Sequence, residues 1–559
     1  MLDSKSPSLV AAIFVWAVWG VLTATDFLWV SQYSINLPLV DEWVMVPVLT
    51  GHEPVTLSWI WSQHNEHRLP LPRLLLLGVY RISGCDFRSG AWLNVALMSV
   101  LAALMILAAR RSRARISFAD AFLPLATLQW GQADNFLWSW QVGFMLPAFL
   151  AGVLLLLVVT QGPHYTLRAG AAYGVFVLAL ALCGANGLVM VPALALWLAW
   201  LGAEAWRSKE RRKHSFVFLG LAAAAILFLG MYFVGFERPR GLPTPSLAES
   251  PAAVAQFLSL GFGLIRTDWW QQWAAATALF LAIGASLLIR AIWKQPVERA
   301  RALGILCLLG AIGSMALAVG WGRAGHALAA RYSTLAAPAL CALYFAAQLY
   351  AGPPWRRVLQ YTLLVLTAGM LWRNTTLGLE YARGLRAKAD GFEADLLSGL
   401  PPMVLADRYS RYPFGLYPSR TDLAQFMNWL HDAGIGPFRD LAADPKHRVI
   451  ELADSASPTA AEHHFTLKDP GFVYGIWLRY QYQPVQPFAR FRLTWKEPDG
   501  TSRIYETPLQ QDPREQSILV WVNGPLWEFT AAADDKPCLC RLWDFKILTP
   551  MVASGHPPT

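Results

Sequence analysis

The sequence predicts an α-helical polytopic membrane protein with about eleven spans, followed by an exterior C-terminal region that contains an antiparallel β-sandwich. Of its 559 residues, 55% are hydrophobic, which is high for a soluble chain of this length. The apolar residues fall in runs of roughly 17 to 23, the length that crosses a hydrocarbon core of ~30 Å. Beyond residue 465 the apolar residues instead recur with a period of two, as in half-buried strands.

The apolar runs define the predicted spans. They are 8–30, 89–109, 118–134, 141–161, 169–184, 187–203, 215–235, 272–293, 303–321, 334–351 and 358–374. The apolar stretch 250–265 is short and follows a proline-rich loop, so it is predicted to be a re-entrant or interfacial helix. The first run lacks a nearby Ala-x-Ala-like cleavage site, and we expect it to remain as an anchor.

Loop charge orients this layout. Four short basic segments fall on one side of the eleven-span arrangement, namely 110–115, 207–214, 294–301 and 353–357. The positive-inside rule makes that side cytoplasmic, together with the N-terminus. The exterior side then receives loop 1 (about 31–88), the loops near 235–271 and 322–333, and everything after 375. We therefore expect a multi-pass protein of a bacterial inner (plasma) membrane with a periplasmic C-terminal domain.

The net charge of +9 is concentrated in the basic cytoplasmic loops. This charge is explained better by the orientation of the spans and by contact with membrane lipid than by nucleic-acid binding. The six cysteines give no metal motif. Cys538 and Cys540 lie too close together for an easy mutual disulfide, and no partner pair for a zinc site follows them.

Four regions follow from these patterns. They are a membrane domain (1–375), an exterior α/β linker (376–464), a β-sandwich (465–549) and a disordered tail (550–559). In the linker, 379–400 and 419–436 are predicted helices, and 402–410 is a predicted short buried strand. The residues EPDG at 497–500 indicate a hairpin turn between two strands.

The predicted sandwich carries several aromatic residues on alternating positions. These are Trp477, Tyr480, Tyr482, Trp495, Trp521 and Trp527. They suit stacking on sugar rings, but alternating aromatics also form the core of ordinary sandwiches. Both interpretations stay open at this point.

Loop 1 holds the densest ionisable chemistry. Asp41 and Glu42 are adjacent carboxylates, which repel each other and favour a shared cation. His64, Glu66 and His67 follow. If 62–68 is helical, both histidines share one face and bind a divalent ion (Mg, Mn, Ca or Zn), with Asp41 or Glu42 supplying oxygen. The alternative is a hydrated loop with solvated charges and neutral histidines. Arg68 and Arg73 are candidates to clamp a phosphate.

Other predicted exterior loops also carry polar residues. Asp134 and Asn135 lie between the third and fourth spans among tryptophans that equally suit an interfacial belt. The end of the ninth span brings Arg323, His326, Arg331 and Tyr332. Arginines on the exterior side run against the positive-inside tendency, so they are better candidates for binding an anion. Arg238, Arg240 and Arg266 are weaker ones.

These features resemble the GT-C superfamily of polytopic membrane glycosyltransferases. The resemblance rests on the pair Asp41–Glu42 in a long first exterior loop, about eleven spans and an exterior C-terminal domain. The stretch "DEW…SQHNEHRLPLPRLL" also resembles uncharacterised bacterial membrane proteins of this type. The likeness covers most of 1–375 in layout, and only Asp41–Glu42 match a motif residue by residue.

The resemblance implies inverting transfer of a sugar from a polyprenyl-phosphate carrier to a glycan, lipid or protein acceptor on the exterior face. Asp41 would deprotonate the acceptor hydroxyl or hold a divalent cation, with Glu42 as its partner. The departing lipid phosphate needs arginine or metal to accept its charge. Arg323 and Arg331 are the first candidates, Arg68 or Arg73 the second. Asp134, Asn135, His326 and Tyr332 would contact substrate, and the sandwich would resemble carbohydrate-binding heads of some members.

Two other functions remain open. A transporter or flippase of lipid-linked glycans should carry ionisable groups at the bilayer midplane, in broken helices. The predicted spans are nearly free of charge, with Asp120 near the cytoplasmic end of the third, and 183–187 (CGANG) is predicted to be a tight turn between spans. A polysaccharide polymerase or ligase would use exterior arginine and histidine without needing Asp41–Glu42. A purely structural membrane scaffold is a further alternative.

Overall fold

The structure, a computed structural model, describes residues 6–161, 165–238, 248–264, 269–410, 413–414, 420–452, 462–482, 490–497, 499–508, 516–534 and 540–551. The chain divides into two compact units. The first unit comprises Met1–Pro38 and Pro47–Ala389, and the second comprises Leu39–Val46 and Asp390–Thr559.

In its described residues, the first unit is helical apart from one short hairpin. Its helices are α1 (Ser6–Tyr33), α2 (Val46–Leu49, which starts in the second unit), α3 (Leu57–Trp61), α4 (Pro70–Ile82), α5 (Ser89–Arg113), α6 (Phe122–Thr127), α7 (Ala133–Leu137), α8 (Val142–Thr160), α9 (Leu167–Ala181), α10 (Ala185–Leu188), α11 (Val191–Trp206), α12 (Arg212–Tyr232), α13 (Ser250–Ser259), α14 (Trp270–Lys294), α15 (Arg299–Gly322), α16 (Ser333–Tyr350) and α17 (Pro353–Leu397). The hairpin strands are β1 (Gln63–His64) and β2 (His67–Arg68).

Eight helical segments among the described residues are long and apolar enough to cross a membrane. They are Leu9–Tyr33, Ser89–Arg113, Ser139–Thr160, Ala185–Trp206, Lys209–Tyr232, Trp270–Lys294, Pro296–Gly322 and Ala330–Tyr350. A helix satisfies its own backbone hydrogen bonds, which lipid cannot do. The chain is therefore a multi-pass membrane protein. The other three predicted spans correspond to the short helices around α6, to α9 and to the first part of α17.

The predicted span 118–134 is not one helix. It is divided between a 3-10 turn (Phe118–Ala121), α6 and α7. Side-chain amides satisfy the backbone where the helix is interrupted: the Gln129 side chain accepts from the Gly131 N–H at 2.6 Å, and Gln132 donates to the Thr127 carbonyl at 2.8 Å. Broken helices persist at membrane depth only when such partners replace the lost hydrogen bonds. Its length and mean hydropathy did not reveal this break.

Among its described residues, the second unit combines the end of α17 and two further α-helices with a sheet. The two further helices are α18 (Pro402–Arg408) and α19 (Arg420–Asp432). The predicted strand at 402–410 is wrong, because these residues form α18. Proline at the first helical turn favours a helix start, and the Asp444 carboxylate accepts from the Met403 N–H at 2.9 Å. The predicted helix at 379–400 is the end of α17, which runs for 45 residues.

The strands are β3 (His447–Glu451), β4 (Glu462–Tyr482), β5 (Arg490–Lys496), β6 (Ser502–Pro508), β7 (Gln516–Asp534) and β8 (Cys540–Pro550). They form one antiparallel sheet of six strands in the order β3-β8-β4-β7-β5-β6. The EPDG hairpin is confirmed, since Lys496 pairs with Ser502 and Gly500 takes a left-handed φ of 85°.

The sheet carries its own core. Inward-facing residues of β4, β5, β7 and β8 form one buried cluster whose members all come from the strands. A sheet whose face is covered by its own side chains must curve over that face. The antiparallel prediction is therefore confirmed, but the two separate sheets of a sandwich are not present among the described strands. Leu519 and Leu548 lie in a second small cluster with Val404 of α18.

The aromatic residues divide between core and surface. Tyr480 is buried in the sheet core, and Trp495 packs against it. Trp477 and Trp521 pack beside α18, and Trp527 is 39% exposed. The core interpretation therefore holds for Tyr480 and Trp495. The side chains of Tyr482 and Cys540, residue Cys538 and the predicted tail from 552 onward lie outside the described residues.

Candidate functional site

The histidine-rich stretch of loop 1 forms a tight β-hairpin. His64 pairs with His67 and Gln63 with Arg68 across β1 and β2. Asn65 adopts a φ of 50° in the turn, a conformation that asparagine tolerates better than most residues. Residues 62–68 are therefore not helical, so the condition for a shared helical face is not met: the two histidines are cross-strand partners.

Arg68 joins this hairpin to the end of α12. It is 7% exposed, and its guanidinium lies 5.6 Å from the Trp61 ring centroid. The guanidinium donates to four backbone carbonyls, those of Trp61, Tyr232, Val234 and Gly235. The Tyr232 hydroxyl also accepts from the Arg68 N–H at 2.9 Å and donates to the Glu66 carbonyl at 3.1 Å. These contacts give Arg68 a structural role in the hairpin.

Arg73 has a similar environment. It is 3% exposed and donates to the Trp59 carbonyl at 2.7 Å and to the Ser62 carbonyl at 2.9 Å. Its guanidinium lies 5.5 Å from the Trp59 ring centroid. Arg73 therefore anchors the segment before the hairpin, and its predicted contact with phosphate would require these bonds to be shared.

The structure pairs Glu66 with Arg323. Arg323 follows α15, and its Nε donates to Glu66 Oε1 at 3.0 Å, with a second donor on the same oxygen. Burial alone would raise the pKa of Glu66, but the nearby charges of His67 and Arg323 outweigh it, so this pKa lies below its ordinary value. Both side chains remain partly exposed, at 22% and 32%. The pair is an anionic–cationic site that solvent reaches.

His67 lies between Glu66 and the turn after α9. Its Nε2 is 3.5 Å from Glu66 Oε1, and its Nδ1 accepts from the Ala185 N–H at 3.2 Å. Gly184 has a φ of 75°, and a side-chain carbon there would lie 2.5 Å from a Leu69 methyl group. The chain at Cys183 and Gly184 is thus packed closely against loop 1 and connects α9 to α10. The turn predicted for 183–187 is therefore shorter than expected, because Ala185–Gly187 already belong to α10.

His64 is 3% exposed and packs edge-on against Trp140, with 5.2 Å between ring centroids. Across the described part of the chain, no three His, Cys, Asp or Glu side chains are grouped so that they could hold a metal ion. A divalent cation at His64, Glu66 and His67 therefore has no preformed ligand set in this conformation.

A second polar group forms around α7. Asn135 is fully buried and donates to the Arg331 carbonyl at 2.9 Å and to the Thr334 hydroxyl at 2.6 Å. The Tyr381 hydroxyl donates to the Asp134 carboxylate, which also lies near the Arg331 charge. Arg331 thus lies close to Asp134 and Asn135, although it follows Asn135 by 196 residues in the chain.

The other predicted residues near α15 have different environments. Tyr332 is 5% exposed and packs against Phe144 and Phe257, and the Arg331 guanidinium lies 5.6 Å from its ring centroid. His326 is exposed in a short 3-10 turn. Arg238 is exposed, whereas Arg240 and Arg266 lie outside the described residues.

The acidic pair belongs to the second unit. Val40 has a φ of 42°, which is strained for a β-branched residue. Its N–H donates to the Pro413 carbonyl at 3.0 Å, and the Trp43 indole donates to the Phe414 carbonyl at 2.6 Å. The surrounding structure therefore holds this backbone in an unfavourable conformation directly before Asp41.

Asp41 and Glu42 differ in exposure. Glu42 is 1% exposed, and its carboxylate accepts from the Leu39 N–H at 2.9 Å, an arrangement that caps the following 3-10 turn. Asp41 is half-buried. The geometry gives Glu42 a structural contact and leaves Asp41 more accessible to solvent.

Sequence reasoning missed Asp26. It lies within the span Leu9–Tyr33 and is fully buried. The Trp130 indole donates to its Oδ1 at 2.7 Å, and Trp130 stacks on Trp29 with 4.6 Å between ring centroids. Its Oδ2 has no hydrogen-bond partner among the described residues. A carboxylate within an apolar run was visible in the sequence, and rarity of charge in spans was the signal that should have identified it.

No protein-family model and no curated protein matches the sequence. The chain is similar to the arabinosyltransferase EmbB from Mycobacterium smegmatis, solved by single-particle cryo-EM, at 12% sequence identity and a TM-score of 0.27. The match covers 96% of this chain and 64% of the EmbB chain. A TM-score this low does not assign a fold or an activity, so the chemistry must be argued from the residues themselves.

Proposed function

We propose that the protein is a membrane glycosyltransferase that moves a sugar from a polyprenyl-phosphate carrier to a glycan, lipid or protein acceptor on the exterior face. The observation that carries this proposal is the solvent-accessible pair of Glu66 and Arg323, which joins loop 1 to the end of α15. An arginine held beside a carboxylate at a helix end can exchange that partner for a phosphate, because both offer oxygens that match the guanidinium.

Arg323 and Arg331 are the proposed phosphate ligands. Both follow α15 and belong to one short connection before α16. Arg323 lies beside Glu66 of the loop-1 hairpin, and Arg331 lies near Asp134 of α7. Positive charge at this position would accept the charge that develops on the leaving phosphate. Arg68 and Arg73 are weaker candidates, because backbone carbonyls already occupy their guanidinium groups.

Asp41 is the proposed general base or cation ligand. Its carboxylate is half-buried, and the strained backbone at Val40 fixes its position. Strain of this kind costs about 1–3 kcal/mol and tends to occur where function requires an unusual conformation. Glu42 would act as a positioning residue through its bond to Leu39. Asp134, Asn135, His326 and Tyr332 remain proposed substrate contacts.

The contacts of the first unit support eleven crossings. At one end of α5, Asn94 donates to the Asn135 carbonyl, and at the other end Arg113 pairs with Asp120. The segment from Asp120 to Asn135 therefore runs the length of α5. The helix α17 does the same, since Gln360 accepts from Arg113 and Tyr381 bonds Asp134. The chain directly after α9 contacts His67. This contact places the end of α9 on the same side as loop 1, which is expected if α9 is the fifth crossing.

A transporter or flippase of lipid-linked glycans is the second candidate, and Asp26 favours it. Ionisable groups buried within membrane spans often mark a transport or proton pathway. Asp26 lies seven residues from the end of α1, about 10 Å along the helix, and about five residues from the middle of the span Leu9–Tyr33, roughly 7 Å. Its depth is therefore between the midplane, where transporters bind their cargo, and the interface, so an activity assay must separate the two candidates.

The two candidates make opposite predictions for purified protein. Detergent-solubilised protein would be incubated with a panel of polyprenyl-phosphate sugars, and release of free polyprenyl phosphate would be measured by mass spectrometry. A glycosyltransferase releases it from at least one donor when acceptor is present. A transporter releases none, but moves a fluorescent lipid-linked glycan across vesicles in which wild-type protein is reconstituted, and Asp26→Asn abolishes that movement.

A further inference from the structure

A cavity lined by several charged residues lies at the other end of α12 from the hairpin. It has a volume of about 190 Å³ and is formed by the ends of α11, α12 and the turn before α15. Its lining includes Arg211, His214, Arg299, Tyr165, Trp200 and Phe218. Because α12 has 21 residues, this pocket is about 30 Å from the Arg68 end of the helix. Its lining contains no residue of the proposed active site.

The pocket is basic. Arg211 and Arg299 are exposed at its rim. The one carboxylate in the lining, Glu204, pairs with Arg207 at 2.7 Å, and the neighbouring Glu298 pairs with Arg301 at 2.9 Å. These two acidic side chains are therefore already neutralised by arginines that do not line the pocket. What the pocket offers to a ligand is a surplus of positive charge.

Two buried polar atoms of the lining have no hydrogen-bond partner among the described residues. They are the hydroxyl of Tyr165 and Nδ1 of His214. Tyr165 is only 8% exposed. A buried hydroxyl without a partner costs roughly 1–3 kcal/mol, so such groups usually bind water or a ligand. Both can donate a hydrogen bond, which suits a ligand with several acceptor oxygens.

The surroundings of the pocket are those of a lipid-facing surface. Phe216 is 62% exposed, Leu219 40% and Val297 61%. Large apolar side chains at the ends of membrane helices face acyl chains or the interface. The volume is below the ~300 Å³ typical of sites for whole small-molecule ligands, so a compact charged headgroup fits better than a sugar nucleotide. Basic pockets between membrane helices on the cytoplasmic side bind anionic headgroups.

We infer that this pocket binds the phosphate of an anionic phospholipid headgroup, in the leaflet opposite the proposed active site. Arg211 and Arg299 attract the phosphodiester, and Tyr165 and His214 donate hydrogen bonds to its oxygens. Phe216 and Leu219 lie where the acyl chains of the same lipid would pass. The inference does not depend on the enzymatic activity, because no residue of the pocket belongs to the proposed catalytic machinery.

Native mass spectrometry tests this inference. The purified protein is exposed to equal concentrations of phosphatidylglycerol and phosphatidylcholine with identical acyl chains, and retained lipid is counted. Each basic residue near an anionic surface contributes roughly fivefold in affinity. We therefore expect wild-type protein to prefer phosphatidylglycerol and the double variant Arg211→Ala/Arg299→Ala to lose about tenfold or more of that preference.

The control is Arg110→Ala/Arg111→Ala, which removes the same charge from exposed arginines outside the pocket. It should keep the preference. If the control loses as much as the pocket variant, general surface charge explains the binding and the inference is wrong. Equal retention of both lipids by wild-type protein also overturns it.

Two further measurements complete the test. Tyr165→Phe removes only the unpartnered hydroxyl, so it should fold normally and lose about threefold of the preference. No change would contradict the assigned hydrogen bond.

Inorganic phosphate is the second probe. If about 10 mM phosphate raises the melting temperature of the wild type but not of the double variant, while no lipid preference is seen, the ligand is soluble phosphate and the lipid assignment is wrong.

Discussion

Glu66, in the turn of the loop-1 hairpin, accepts hydrogen bonds from the guanidinium of Arg323, which follows it by 257 residues. This pair connects the first loop of the membrane unit with the connection between α15 and α16. A charge pair that solvent reaches is worth only about 1 kcal/mol in stability, so its value for a phosphate-binding site is that its arginine can change partner at little cost.

A double-mutant cycle measures the Glu66–Arg323 interaction. Glu66→Gln and Arg323→Gln each remove one charge, and the double variant removes both. We expect a coupling free energy of about 1 kcal/mol in detergent unfolding experiments. If the free-energy change of the double variant equals the sum of the two single changes within about 0.3 kcal/mol, the two side chains do not interact.

The same pair predicts a dependence on pH. The pKa of Glu66 lies below its usual 4.5 in the folded protein, so folding favours the ionised carboxylate. The stabilisation is fully present above pH 4.5 and is lost as the pH falls through the lower, folded-state pKa. Wild type and Glu66→Gln should therefore converge in melting temperature below this range. A stability difference that grows on acidification would contradict the assignment.

The environment of Arg68 predicts a loss of stability rather than a selective loss of activity. Arg68→Lys cannot bond four carbonyls at once, and we expect it to lower the free energy of unfolding by about 3 kcal/mol. Arg81→Lys is the matched control, because Arg81 is exposed on α4. A stable Arg68→Lys protein with reduced donor affinity would instead make Arg68 a phosphate ligand.

Gly184 should be important for the close packing of the chain after α9 against Leu69, which directly follows the hairpin. Its φ of 75° is costly for other residues, and a new methyl group would overlap Leu69. Gly184→Ala should therefore lower the free energy of unfolding by about 1–3 kcal/mol. Gly78→Ala, at a helical glycine with open space around it, should be neutral or stabilising by up to about 1 kcal/mol. Equal melting temperatures for the two variants would contradict the close packing seen at Gly184.

The membrane character and the grouping of loops were predictable because apolar length and loop charge are properties of the chain itself. Contacts such as Gln63 with Glu237 and His67 with Ala185 join loops that the charge pattern assigned to one side. The interruption of 118–134 was not predictable from hydropathy, since Gln129 and Gln132 satisfy the backbone from within an apolar environment.

The sequence proposes candidate residues by type, and the fold shows which of them lie together. Glu66 and Arg323 were both identified by residue type, but only the fold pairs them. The metal-binding hypothesis for His64 and His67 depended on 62–68 being helical, and this condition is not met because Asn65 turns the chain back after two residues of strand. Arg68 was proposed as a phosphate ligand because the sequence does not show its four carbonyl partners. Most of them come from the end of α12, which is distant in sequence.

Release of polyprenyl phosphate by the Asp41→Asn variant tests the central claim most directly. Asn keeps the size of Asp41 but cannot accept a proton, and removing a general base lowers the rate about 10²- to 10⁴-fold. Glu53→Gln is the matched control, because Glu53 is an exposed loop-1 carboxylate. We predict that release from the best donor falls at least about 100-fold in Asp41→Asn and is unchanged in Glu53→Gln, with both variants folded. Equal release by wild type and Asp41→Asn would contradict the assignment of Asp41 as the catalytic carboxylate.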